Sequence, residues 1–153
     1  MRAVGLVALA TGTGSLSACG LFDDEQVPPP PDPLAVLVTN ALDLAGRYDA
    51  AMAAFPELAD RLGPVAQAHR AHAEELARVT HTTLPSGAAT PGATGEPSAP
   101  VAGDQKATLA LLRTAETEGR QTMAKACIDA PPERAALLGS IAAARATHLE
   151  VLR

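Results

Sequence analysis

Leu34 to Phe55 reads LAVLVTNALDLAGRYDAAMAAF. Leu34, Leu37, Ala41, Leu44, Ala45, Tyr48, Ala51, Met52 and Phe55 recur at helical spacing and form one apolar stripe. Asp43, Arg47 and Asp49 fall on other faces. Pro56 ends this helix and suits the first turn of the next, where Glu57 faces the positive end of the helix dipole. The second helix is predicted to run to about Thr83, with a kink at Gly63-Pro64, because proline removes a backbone hydrogen bond and crowds the preceding turn. Asp104 is placed to cap a third helix that reaches about Ile128. Ala130-Pro131-Pro132-Glu133 breaks the chain and restarts it as a fourth helix ending near Leu152. Phe22, Tyr48 and Phe55 are the whole aromatic content, and alanine is abundant. An Ala/Leu core suits closely packed helices and offers little to a sheet, which favours β-branched and aromatic residues. The expectation is an all-α fold.

The two halves repeat. Ala45-Gly46-Arg47 matches Glu118-Gly119-Arg120, and Pro56-Glu57 matches Pro132-Glu133. Leu62, His72 and Leu76 match Leu138, His148 and Leu152. Each half reads as one helical hairpin. Between them, residues 85–103 are rich in Pro, Gly, Ala, Ser and Thr, carry only Glu96 as a charge, and read as a flexible connector. So long a connector inside a domain needs a reason. A helix of about 21 residues is about 30 Å long. Nineteen connector residues extend to about 60 Å, enough to return along a bundle. Two hairpins joined by one long crossover make a four-helix bundle of the kind that includes the ferritin-like folds.

Upstream, the chain opens with Met1-Arg2, then an uncharged apolar run to Ala18, closing on Leu16-Ser17-Ala18-Cys19. This pattern predicts a secretion signal over residues 1–18 that ends in a lipobox, with Cys19 the lipidated first residue of the mature protein. The run is too short and too rich in Gly and Thr for a permanent span, which needs about 20 apolar residues. Acyl chains on one cysteine would hold the protein to the extracytoplasmic face of a membrane. Residues 19–33 include Pro28 to Pro31 and Asp32-Pro33, an extended stalk below a domain of residues 34–153. Without the leader's single cation, eleven basic face seventeen acidic side chains, a formal charge of −6. No basic patch stands out, so nucleic acid is not an expected partner. A neighbouring envelope protein is. Cys127 is left with no intramolecular disulfide partner and reads as a small apolar residue near a helix end.

The pattern Tyr48…Phe55-Pro56-Glu57-Leu58…Leu62-Gly63-Pro64…His69-Arg70-Ala71-His72-Ala73-Glu74-Glu75-Leu76, then Ala115-Glu116…Arg134-Ala135-Ala136-Leu137-Leu138…Ile141-Ala142-Ala143…His148…Leu152, resembles a family of ferritin-like domains of unknown function found in actinobacterial lipoproteins. The resemblance covers about Leu34 to Leu152 and implies a fold and a location, without an established reaction.

Polar residues interrupt the apolar stripes. Val65, His69, His72 and Leu76 share one face of the second helix, and Leu138, Ile141, Arg145, His148 and Leu152 share one face of the fourth. His81 lies off that face, near a helix end, and reads as solvated. Di-iron members of the ferritin-like fold take a Glu-x-x-His pair from each of two helices and a Glu from each of the others. Here the histidines of the two pairs remain, as His72 and His148, but His69 and Arg145 stand at the Glu positions. The first helix brings Tyr48 inward, while Asp43 lies about 140° away at 100° per residue. On the third helix Glu118 lies nearer the stripe of Leu111, Ala115 and Thr122, and Glu116 nearer the position the resemblance implies. One inward acid and a fixed cation at Arg145 argue against oxygen-activating or ferroxidase chemistry.

Three readings of these residues follow. One is a buried polar network of histidines and Tyr48 with Arg145 paired to Glu116 or Glu118, in a non-enzymatic binding or interaction module whose metal site has degenerated. Another is a single transition-metal site, zinc or copper, on His69, His72 and His148. The third places these histidines at the surface. The chain lacks the His-Glu-x-x-His of zinc proteases, and Gly12-Thr13-Gly14 lies in the leader and is no phosphate loop. No serine sits in a nucleophile elbow. Glu74 stands four residues before Arg78 on what reads as a solvated face.

Overall fold

The computed structural model describes residues 30–85 and 103–153. The expected leader, Cys19, the expected stalk up to residue 29 and the expected connector from 86 to 102 lie outside the described residues. Four helices follow one another: α1 (Ala35–Ala54), α2 (Ala59–Thr80), α3 (Gln105–Asp129) and α4 (Pro132–Val151). There is no strand among the described residues.

Local chemistry sets the boundaries. Asp32 Oδ1 accepts the Leu34 N–H at 2.9 Å just before α1. Phe55 leaves the helical region, and Pro56–Leu58 form a single 3-10 turn before α2. Pro64 lies inside α2, in its second turn, and the helix continues through it without a break. One missing hydrogen bond is tolerated there because the tertiary contacts of Leu62, Val65 and Ala66 hold both sides. His81 ends α2 in the left-handed conformation at φ 53°, and its N–H bonds the Ala77 carbonyl. It is exposed. Asp104 caps α3 by accepting the Ala107 N–H at 2.8 Å. Pro132 occupies the first turn of α4, where its missing N–H costs nothing.

The helices pack in two hairpins. α1 lies along α2 and α3 along α4, with α1 also meeting α3 and α2 meeting α4. Two apolar layers give the directions. One joins Leu37, Val38 and Ala41 of α1 to Ala73 and Leu76 of α2, Met123 of α3, and Leu138 and Ile141 of α4. The other joins Leu44 and Ala51 of α1 to Leu62 and Val65 of α2, Leu112 of α3, and Leu152 after α4. The start of α1 therefore lies with the end of α2, the end of α3 and the start of α4. Each helix is antiparallel to the neighbours it packs on, and α2 and α3 run parallel. The end of α2 and the start of α3 lie at opposite ends of the bundle.

Polar ties fasten both ends. Arg134 pairs with Asp32 where α4 starts beside the entry to α1. At the opposite end Arg61 donates to the carbonyls of Val151 (2.5 Å) and Arg153 (2.6 Å), and Arg113 donates to that of Leu152. Guanidinium groups thus satisfy carbonyls that α4 leaves open at its negative end. Cys127 is a free, partly buried thiol that donates to the Ala135 carbonyl at 3.2 Å across the α3–α4 turn.

On α3 the buried positions are Thr108, Leu112, Glu116 and Met123. The stripe of Leu111, Ala115 and Thr122 expected from the sequence is one residue out of phase, and Leu111 and Thr122 are exposed. Few large apolar residues mark this helix, so its phase is set by the three helices around it rather than by its own pattern.

Candidate functional site

Between the two apolar layers lies a polar one. Tyr48 on α1, His69 on α2, Glu116 on α3, and Arg145 and His148 on α4 all point into it and all are buried. Glu116 is the only buried acid among the described residues, and Glu118, two positions on, is exposed. The spacing 112, 116, 123 turns Glu116 toward the axis, and a helix cannot present 116 and 118 to the same side.

Glu116 Oε1 gathers three partners. The Tyr48 hydroxyl donates to it at 2.9 Å. His69 Nε2 lies at 2.7 Å and His148 Nδ1 at 3.1 Å. Its twin oxygen, Oε2, has no hydrogen-bond partner and faces Arg145 Nη1 at 3.7 Å, an ion pair without hydrogen-bond contact. His69 Nδ1, His72 Nδ1 and Arg145 Nε are also buried without a partner.

His72 is half-buried at the margin. Its ring stacks on that of His148 with centroids 6.2 Å apart, and its centroid lies 5.9 Å from that of His69. His69 and His148 meet edge to face at 4.8 Å.

The electrostatics follow from burial and one negative charge. Burial favours the neutral form of Glu116, but the hydrogen bonds it accepts from His148 and His69 outweigh it and hold its pKa down to about 2. Burial lowers the pKa of His69, with the Glu116 carboxylate opposing. Burial lowers that of His72 to about 4, helped by the neighbouring His69, His148 and Arg145. Tyr48 is pushed well above the usual phenol range, first by burial and then by the Glu116 charge, so it remains a donor. Burial also lowers the pKa of Arg145, against the attraction of Glu116. At neutral pH the layer holds a carboxylate, a guanidinium, a phenol and neutral rings at His69 and His72.

Three donor atoms converge in it. One ligand atom each from His69, Glu116 and His148 lies within 4.8 Å of the others. Two imidazole nitrogens and a carboxylate oxygen make a donor set for zinc or copper. The set does not fit an oxygen-bridged pair of irons. Such a pair needs several carboxylates, and this layer has one, already facing a cation.

The structure thus brings Tyr48, His69, Glu116, Arg145 and His148 into one layer, leaves His72 at its edge, and turns Glu118 outward. One contributor escaped sequence reasoning: Gly119. A Cβ there would stand 2.1 Å from Arg145 Nη1, so the bare backbone makes room for the guanidinium. Its signal was present, since Gly119 is a helix-interior glycine that also recurs in the repeat.

Protein-family models, curated proteins and solved structures give no match to this chain.

Proposed function

We propose that this chain is an extracytoplasmic lipoprotein, anchored through Cys19, whose ferritin-like bundle binds one transition-metal ion, zinc or copper, on His69, Glu116 and His148. The convergence of those three donor atoms within 4.8 Å carries the proposal. The ferritin-like assignment draws support from antiparallel neighbours, a parallel α2 and α3, and the length of chain between them. The lipobox of Leu16-Ser17-Ala18-Cys19 supports the anchor. No helix among the described residues is long and apolar enough to cross a membrane.

Neutral imidazoles are the form that ligates a metal, and burial keeps His69 in that form. Tyr48 and Arg145 would then act from outside the ligand set, Tyr48 by its bond to Oε1 and Arg145 by its charge beside Oε2. Elemental analysis of the chain purified without a histidine tag tests this reading. Near-stoichiometric zinc or copper is expected, and a His69→Ala/His148→Ala variant should lose it.

A second reading keeps the same residues as a metal-free polar network that orients the helices of a non-enzymatic interaction module. The position of Arg145 favours it, because a guanidinium 3.7 Å from Glu116 already balances the carboxylate. Absence of metal in wild type, with the double variant merely melting earlier, would select this reading. Co-purification with an envelope protein would then identify its partner.

A further inference from the structure

A cleft of about 210 Å³ opens between α1 and α3, and its lining includes Asn40, Asp43, Arg47, Glu118, Gly119 and Arg145. Arg145 reaches it from α4. The side chain is 2% exposed, and its Nη1 occupies the space that a Cβ on residue 119 would fill. Gly119 is thus the window through which a buried guanidinium meets the cleft.

This guanidinium is under-used. It carries five N–H donors. Nε is sealed from solvent without a partner, so a ligand in the cleft would meet the terminal nitrogens. The nearest acid, Glu116 Oε2, is 3.7 Å from Nη1, beyond hydrogen-bond reach. A buried cation without hydrogen bonds is costly, and the planar fork of arginine matches the two oxygens of a carboxylate. The rim refines the choice of ligand. Asn40 offers an amide, Arg47 is engaged with Asp43 at 2.8 Å, and Glu118 is an exposed carboxylate. A second negative charge on a ligand would face Glu118, whereas a single carboxylate can point inward and leave its other end at the mouth.

We propose that this cleft binds a small, singly charged carboxylate on Arg145, with Gly119 admitting the contact and Glu118 selecting against doubly charged oxyanions. The site shares Arg145 with the polar layer but takes none of the three ligand atoms of His69, Glu116 and His148, so carboxylate binding is expected in the metal-free protein.

The test is a titration of the chelator-treated full chain with acetate at constant ionic strength, followed by NMR at the Gly119 amide and the Arg145 side chain, with phosphate and chloride as comparisons. Saturable acetate shifts are expected, with phosphate weaker. Gly119→Ala should weaken acetate binding about tenfold, the loss expected when a charge-assisted contact is displaced. Arg145→Lys keeps the charge but removes the fork and should weaken it similarly, so the outcome does not hang on one variant folding. Glu118→Gln should narrow the gap between acetate and phosphate. Shifts that never saturate, equal binding of all three anions, or unchanged acetate affinity in both the Gly119 and Arg145 variants would overturn the proposal.

Discussion

Tyr48 and Glu116 are 68 residues apart in the chain and 2.9 Å apart in the fold, and the bond between them ties α1 of one hairpin to α3 of the other. It is buried at both ends, so water cannot replace it. Tyr48→Phe removes the donor and leaves the ring. A hydrogen bond to a charged group contributes about 1.5–3 kcal/mol, and urea denaturation at fixed pH should show a loss of that size.

Among the described residues Glu116 is the acid in ion-pair range of Arg145, and its Oε1 is the oxygen that three donors share. Glu116→Ala strands a buried cation and should cost about 3–5 kcal/mol. Replacing both residues with apolar ones of similar size, Glu116→Leu/Arg145→Met, should recover most of that loss. Equal stability of the single and double variants would show that the ion pair is not what holds the layer.

The metal-free protein should lose stability steadily in acid. The pKa of His72 is lowered from its ordinary 6.5 to about 4. The unfolded chain therefore binds the proton first, and stability falls as pH drops from about 6.5 to about 4. His69 shifts in the same direction. Glu116 is lowered from 4.5 to about 2, so its contribution is complete above about 4.5 and disappears as pH falls through about 2. Thermal melts of chelator-treated protein across this range should show two successive declines, and His72→Asn should flatten the upper one.

Metal added back should stabilise the folded chain by mass action. At zinc concentrations 100-fold above the dissociation constant the gain is about 2.7 kcal/mol, read as a rise in melting temperature. His69→Ala or His148→Ala should abolish the rise. His72→Ala should keep most of it, because His72 stands at the margin of the converging donors.

Close packing leaves the two apolar layers little slack. Leu76 and Leu138 are almost fully buried in the same layer, one from each hairpin. Leu76→Ala should cost about 2–5 kcal/mol by denaturant unfolding, and Leu138→Ala a similar amount.

Much of the architecture was legible beforehand. The stripe from Leu34 to Phe55 located α1, and the prolines at 56 and 131–132 located two of its breaks. The run Leu138, Ile141, Arg145, His148, Leu152 named the inner face of α4 correctly, because large residues at three- and four-residue steps leave one phase. On α3 the same method failed by one residue. Charges at 113, 116, 118 and 120 surround small side chains there, and no single stripe dominates. His72 shared its stripe with His69, yet only His69 is fully buried. A 3.6-residue period spreads neighbouring positions over a wide arc, and which part of that arc is sealed depends on the opposing helix.

The chain by itself determined that it would be helical, where its prolines would break it, and which polar side chains would stand among leucines, since periodicity and proline act within a few residues. The end of α2 at Thr80, short of the expected Thr83, was not among these. Only the tertiary structure decided that Glu116 rather than Glu118 turns inward, that three side chains share its Oε1, and that Arg145 passes over Gly119 toward a cleft. Those relations join residues 26 to 68 positions apart, whose approach is set by how four cylinders pack and not by any local preference.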